Sequence, residues 1–325
     1  MRRTILWAAA TIVLLFGAPA MAQEWPTRPV TMVVPFAPGG VYDTLGRVYA
    51  AALTGILGQP VVVENVPGAG GMTGGARVAH AEPDGYQFLF GGESPNTQVQ
   101  LLHKTPLYDG ARDFAPVALV AEQPLILTVR KGIPAGNLAE FIAYARANQA
   151  KMQYGSPGTG SGSHLTCALL DADVKISVTH VPYRGLGPAM QDLLAGRIDY
   201  MCPSITTAMA QIEAHQIAAP AVLGRMRSPV FPDIPTAQEQ GIKDLDANSW
   251  NAIFLPKGTP AAIVAKLNAA AIKAMSDAAV QARLRQLGAS LPPADERTPQ
   301  YLQSFVESEI KTWGAVVKTV GITAE

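Results

Sequence analysis

The chain has 325 residues, with 25 lysines and arginines balanced by 25 aspartates and glutamates, and 48% of its residues are hydrophobic. That balance, with no basic stripe interleaved with aromatics, excludes nucleic acid as an expected partner. A chain of this length buries one large core or two cores of about 150 residues each, and two is the expectation.

Residues 1–22 read as a secretory signal peptide. Arg2 and Arg3 give a positive start, Ile5 to Phe16 form a short apolar core, and Ala20-Met21-Ala22 is an A-x-A cleavage site. The apolar core is shorter than the roughly 20 residues that span a bilayer, so a cleaved signal is expected in place of a membrane anchor. The Arg2-Arg3 pair leaves twin-arginine export open. The mature chain begins near Gln23, and no later stretch holds about 18 unbroken apolar residues, so it is expected to be soluble.

From Val30 short apolar runs alternate with helical patterns. Val30 to Val34 reads as a strand. Thr44 to Leu57 places Leu45, Val48, Ala52 and Ile56 on one helical face, with Gly58 as its stop. Val61 to Val63 is a strand, Met72 to Ala81 a short helix, Tyr86 to Phe90 a strand and Asn96 to Leu102 helical. Phe114 to Ala121 and Leu125 to Val129 read as two β segments separated by Glu122-Gln123-Pro124. The alternation then restarts: helices over Leu138 to Asn148, His164 to Leu170 and Ala189 to Leu194, and strands over Met152 to Tyr154, Ile176 to Val181 and Ile198 to Cys202. Another apolar run, Trp250 to Leu255, leads to Thr259 as N-cap and Pro260 at the first helical position. Helices over Ala278 to Leu287 and Pro299 to Val317 close the chain and are too few to enclose a core alone.

The pattern predicts an α/β protein with parallel sheet and helices on its faces, in two lobes joined by crossing strands with a ligand cleft between them. Lobe 1 is assigned to residues 23–121 and 252–325, and lobe 2 to residues 122–251.

The junctions between strand and helix carry the functional signal. In Pro35-Phe36-Ala37-Pro38-Gly39-Gly40 a strand ends, two glycines let the backbone approach a guest, and the next helix begins with unpaired N–H groups. Such an end bears roughly half a positive charge and makes an anion site out of backbone. Tyr154-Gly155-Ser156-Pro157-Gly158-Thr159-Gly160-Ser161-Gly162-Ser163-His164 repeats the design in the second unit. Two further strand-end loops follow it, one containing Gly92 and Ser94, the other Tyr183 and Arg184. Arg184 either meets a charged ligand or sits at the surface or between lobes. Asp43 either complements the helix dipole or faces the cleft.

Other chemistries fail on spacing. The third glycine of a GxGxxG loop falls on Thr73 in one candidate and Ser163 in the other, and no GxxxxGK[ST] or GxSxG is present. The five histidines are scattered without ligand spacing, so neither metal nor cofactor is expected. Ser161 or Ser163 with His164 gives an acyl hydrolase as the alternative function. Cys167 and Cys202 either form a disulfide or remain as two buried thiols on adjacent elements.

The segments VPFAPGGVYD, QPVVVENVPGAGG, EPDGYQFLFG, DFAPVALVA, YGSPGTGSGSHL, VPYRGLGPAMQDLLAGRIDYM, FPDIPTAQEQG and LPKGTPAAIVAKLN occur in this order over nearly the whole mature chain. Together they resemble the tripartite tricarboxylate transporter substrate-binding (Bug) family. The resemblance implies a periplasmic, monomeric, non-enzymatic two-lobed protein. It closes on a small organic carboxylate and delivers it to tripartite tricarboxylate-type membrane transporter subunits; a sensing role is the further alternative. It implies ligand contacts from Phe36, Ala37, Pro38, Gly39, Gly40 and Asp43 in one lobe and from Ser156, Gly158, Thr159, Gly160 and Ser161 in the other. Val41 and Tyr42 stand where the family carries a small hydroxyl pair, and Pro203 and Ser204 where it often has an acid or amide. These departures imply a larger or less polar carboxylate than a four-carbon diacid.

Overall fold

A computed structural model describes residues 25–243 and 245–322. The expected signal peptide at residues 1–22 lies outside them. The strands are β1 (Val30–Val34), β2 (Val61–Asn65), β3 (Gln87–Gly92), β4 (Phe114–Pro124), β5 (Ile126–Arg130), β6 (Gln153–Ser156), β7 (Thr179–Pro182), β8 (Tyr200–Met201), β9 (Ile217–Val222) and β10 (Asn248–Pro256). The helices are α1 (Val41–Leu57), α2 (Met72–Ala79), α3 (Leu138–Asn148), α4 (Gly162–Val174), α5 (Leu186–Leu194), α6 (Ile205–Glu213), α7 (Ala261–Ser276), α8 (Ala278–Gln286) and α9 (Pro299–Val320).

Two five-stranded sheets result, ordered β2-β1-β3-β10-β4 and β7-β6-β8-β5-β9. Their period-2 alternation fills a core on each face. In the first sheet Met32, Phe88, Phe90, Val120 and Ile253 point to α1, α7 and α8. Their neighbours Val33, Leu89, Leu119, Ala252 and Phe254 point to α2 and α9. The closing helices therefore cover both faces of the first sheet. In the second sheet Leu127, Val129 and Tyr200 face α3 and α4, while Ile126 and Met201 face α5 and α6.

The sheets are mixed, which corrects the expectation of parallel sheet. β1 is parallel to β2 and β3, and β6 to β7 and β8. β10 lies antiparallel between β3 and β4, and β5 antiparallel between β8 and β9. The reason is topological: β4 leaves the first lobe and β10 returns to it, so the two crossing strands run in opposite directions. Leu125 bridges Ser204 in the second lobe one residue after β4 ends.

Other local differences have identifiable causes. Glu122-Gln123-Pro124 does not break the strand. β4 is an edge strand, where the missing N–H of Pro124 is tolerated, and the residue pairs with Asn248. Residues 94–102 form a π-type turn (Ser94–Gln98) running into a 3₁₀ turn (Val99–Leu102). Pro260, not Thr259, is the N-cap of α7, and Thr259 instead bonds Pro256 O through its hydroxyl at 2.7 Å. α6 and β9 are not among the elements expected from the sequence; β9 contains Pro220 and is likewise an edge strand.

Candidate functional site

Between the lobes lies a cavity bounded by Phe36, Gly40, Val41 and Tyr42 at the start of α1, by Glu93 and Ser94 after β3, and by Ser249 at the start of β10. The second lobe contributes Leu125, Pro157, Ser161, Gly162 and Ser163 at the start of α4, Leu186 at the start of α5 and Ser204 at the N-cap of α6. Four helix N-termini thus open onto one space. The first-turn N–H groups of a helix have no partner within it, and each end carries about half a positive charge. The cavity volume is about 20 Å³, room for about one water molecule. The lobes stand closed on each other.

Glycines set that close approach. The Ala37 N–H donates to Arg184 O at 3.1 Å across the cleft. A Cβ on Gly187 would meet Pro38 O at 2.5 Å, one on Gly70 would meet Thr159 O at 2.6 Å, and one on Gly158 would meet Gly70 N at 2.9 Å. Backbone lies against backbone at both rims of the cleft, where side chains would hold the lobes apart.

The expected site residues divide into three groups. Phe36, Gly40, Val41, Tyr42, Ser94 and Ser161 line the cavity. Ala37, Pro38, Gly39, Gly158, Thr159, Gly160 and Arg184 take part in the rim contacts or lie beside them. Pro38 and Gly39 border an outer hollow with Gly187, and Arg184 contributes its carbonyl while its side chain is exposed. The remainder support the walls. Gly92 packs under Tyr42, where a Cβ would meet its hydroxyl at 2.5 Å. Ser156 Oγ hydrogen-bonds His180 Nε2 at 2.7 Å and accepts from Gly158 N–H. The Tyr183 hydroxyl donates to Asp192 at 2.8 Å.

Asp43 turns back on its own junction. Its carboxylate accepts from Gly39 N–H at 3.1 Å and Asn65 Nδ2 at 3.0 Å and pairs with Arg47 at 2.8 Å. Burial pushes its pKa up, but Arg47, Asn65 and the Gly39 N–H outweigh that and hold it below the usual carboxylate range.

The carboxylate facing the cleft is Glu93, which is not among the expected site residues. It is 5% exposed. Its Oε2 accepts from Tyr42 OH and Trp250 N–H, both at 3.1 Å, and its Oε1 from Ser249 OH at 2.9 Å. Burial pushes it up to about 7 against the lowering pull of these bonds. The sequence signal was a glutamate at a strand end between Gly91-Gly92 and Ser94-Pro95.

The serine and histidine of the hydrolase reading do not meet. Ser161 Oγ caps α4 by accepting the His164 backbone N–H at 3.3 Å, and His164 Nδ1 accepts from Gly160 N–H at 3.1 Å. Ser163 Oγ is buried without a partner. His164 stacks on His180 at 3.9 Å and on Tyr154 at 6.1 Å. Burial lowers His164 to about 3, with His180 adding to the effect, and burial lowers His180 to about 4. Cys167 of α4 and Cys202 after β8 are joined by a disulfide, with Cα atoms 5.6 Å apart. Among the described residues no three His, Cys, Asp or Glu side chains are grouped to hold a metal, and no helix is long and apolar enough to cross a membrane.

Two α/β lobes closed over helix N-termini, with the chain crossing between them, define the class of bilobal solute-binding receptors. Residues 45–322 match the model of the tripartite tricarboxylate transporter family receptor, TctC. The chain is 38% identical over 303 residues to a UPF0065 protein in the TAR-I ttuE-ttuC' intergenic region of Agrobacterium vitis, covering 93% of this chain and 87% of that protein. Among solved structures, MatC from Rhodopseudomonas palustris with bound malate superposes with a TM-score of 0.87 at 40% identity, over 90% of this chain and all of that one. An R. palustris protein solved with adipate gives 0.88 at 35% identity, over 92% of this chain and 99% of that one. The chain belongs to the tripartite tricarboxylate transporter receptor family, whose members are periplasmic binding proteins.

Proposed function

We propose that this chain captures a small organic carboxylate by closing its lobes and delivers it to the membrane subunits of a tripartite tricarboxylate-type transporter. It acts as a monomer, without catalysis, in the periplasm, after removal of the signal at residues 1–22. The observation that carries this reading is the convergence of the α1, α4, α5 and α6 N-termini on one cavity, an anion site built from backbone. The malate and adipate bound by the two R. palustris relatives support it. The ligand's carboxylate is held by the N–H groups around Gly40, Val41 and Tyr42 and around Ser161, with Ser94 and Phe36 beside it. Lobe 1 comprises residues 23–121 and 252–325, and lobe 2 residues 122–251. The boundary residues Ala121 and Asn251 are a paired rung of the crossing ladder, and closure swings about the tip of that ladder beyond Pro124 and Asn248.

The test is a thermal-shift screen of mature protein stripped of ligand by unfolding and refolding, against mono-, di- and tricarboxylates, aromatic acids, amino acids and neutral amides. Ligand at 100 times its Kd adds about 2.7 kcal/mol. A rise in Tm with one class of acid, and recovery of that acid intact, supports the reading. Turnover of the acid, or response only to neutral compounds, refutes it.

A further inference from the structure

Glu93 is a buried carboxylate in the wall of a cleft whose lining includes no lysine, arginine or histidine. A carboxylate has about four lone-pair positions. Tyr42 and Trp250 donate to Oε2 and Ser249 to Oε1, and the residue's own backbone N–H also bears on the carboxylate. Tyr42 stands on α1 and Ser249 and Trp250 on β10, the helix and strand of the first sheet's own layers, so all three partners approach from the side of that sheet. Oε1 is the oxygen that faces the second lobe: a Cβ built on Gly162 would stand 2.9 Å from it. The same point lies 3.3 Å from Gln98 Oε1. The side chain of Gln98, wholly buried, has no hydrogen-bond partner, and neither has Ser163 Oγ, which lines the cavity. Unpartnered polar groups therefore converge on the place where the lobes meet, with Glu93 Oε1 as the charged acceptor among them, within reach of the helix starts that favour an anion.

A second carboxylate on the ligand would have to lie beside Glu93 in a cavity without a basic side chain to separate the two charges. A group with several N–H donors and a positive charge satisfies the same oxygens. The departure at Tyr42 belongs to this arrangement, because the tyrosine hydroxyl that replaces a short one is spent on Glu93.

We propose that Glu93 determines the specificity of the cleft, which takes an organic acid bearing an ammonium group, the carboxylate going to the helix N-termini and the ammonium to Glu93 Oε1. This rests on the carboxylate reading given above. The groups that face Glu93 are Tyr42 from α1, Ser249 and Trp250 from β10, Gln98 from the turn after β3, and Gly162 and Ser163 from α4; Tyr42 is the one titratable group among them.

The test is titration calorimetry of refolded, ligand-free mature protein with two matched sets. One is 4-aminobutyrate, butyrate, succinate and n-butylamine; the other is 6-aminohexanoate, hexanoate, adipate and n-hexylamine. The expected result is that the amino acid of a set binds about tenfold or more tightly than its diacid and its monoacid. Glu93→Gln, which keeps the shape and removes the charge, abolishes that preference; the wild-type comparison stands alone if this variant fails to fold. A diacid that binds as well as the amino acid in the wild type overturns the proposal and leaves the carboxylate reading intact, the more so if its affinity falls as pH rises through 7, which would make Glu93 a protonated donor. An amine that binds as tightly as the amino acid overturns the carboxylate reading on its own. Failure of every compound in both sets overturns the proposal, and the carboxylate reading is then decided by the wider thermal-shift screen.

Discussion

Asp43 fixes the shape of the first junction from within. It ties the Gly39 N–H, Asn65 and Arg47 together at the entrance to α1. Asp43→Ala is therefore expected to cost about 1–3 kcal/mol, the range for removing a partly buried hydrogen-bonded carboxylate, read as a lower urea midpoint with an unchanged slope. An unchanged midpoint would mean that the loop holds its form without this carboxylate. The sequence placed Asp43 in a first helical turn but left its direction open, since a side chain there reaches either its own loop or the cleft. Phe36, Gly40, Ser94 and Ser161 were legible because glycine and hydroxyl residues between strand and helix are a local signal. Glu93 acquires its role through Ser249, 156 residues away in sequence, and no local pattern carries such a contact.

At the scale of elements, the strand–helix alternation was readable because each lobe repeats one apolar period of two and another near 3.6. The antiparallel crossing strands were not, because direction is set by which lobe the chain has just left. The contact of α5 with the first junction was equally hidden. It gives a sharp expectation: Gly187→Ala adds a Cβ 2.5 Å from Pro38 O, while Gly187 itself has no left-handed backbone angle. Alanine favours a helix over glycine by about 1 kcal/mol, so the unliganded protein should keep or slightly raise its Tm. Closure, however, should be obstructed and affinity for its acid lowered by about tenfold or more. Calorimetry on the variant checks both. Full affinity would show that the rims need not meet as they do here.

Across the whole molecule, buried titratable groups pull against each other. Burial raises Glu93 and Asp171 to about 7 despite their hydrogen bonds, so the folded state holds protons that the unfolded chain has released, and stability rises as pH falls from about 7 toward the ordinary carboxylate range. His164 and His180 are lowered, so the unfolded chain takes up protons first and stability drops as pH falls from about 6.5 toward 3 to 4. Glu93 and Asp171 largely offset the two histidines from about pH 6.5 to about 4.5, with Glu122, also raised by burial, on the side of the carboxylates, and the profile is expected to fall below that, where Asp43 adds its own loss. Asp171→Asn, which leaves the Tyr200 hydroxyl an acceptor, removes one side of the balance. Its urea midpoint should decline steadily over that interval. A profile as flat as that of the parent would refute the opposition.

The disulfide joins α4, whose first turn lines the cavity, to the strand end that leads into Ser204, which the same lobe contributes to that cavity. Cross-linking residues 35 apart stabilises by about 3 to 4 kcal/mol in the chain-entropy account, and such bonds persist outside the reducing cytosol. Reduction of that one bond is therefore expected to loosen the start of α4 and the turn at Ser204 together, so that a single covalent link sets the spacing of two of the helix starts that open on the cavity.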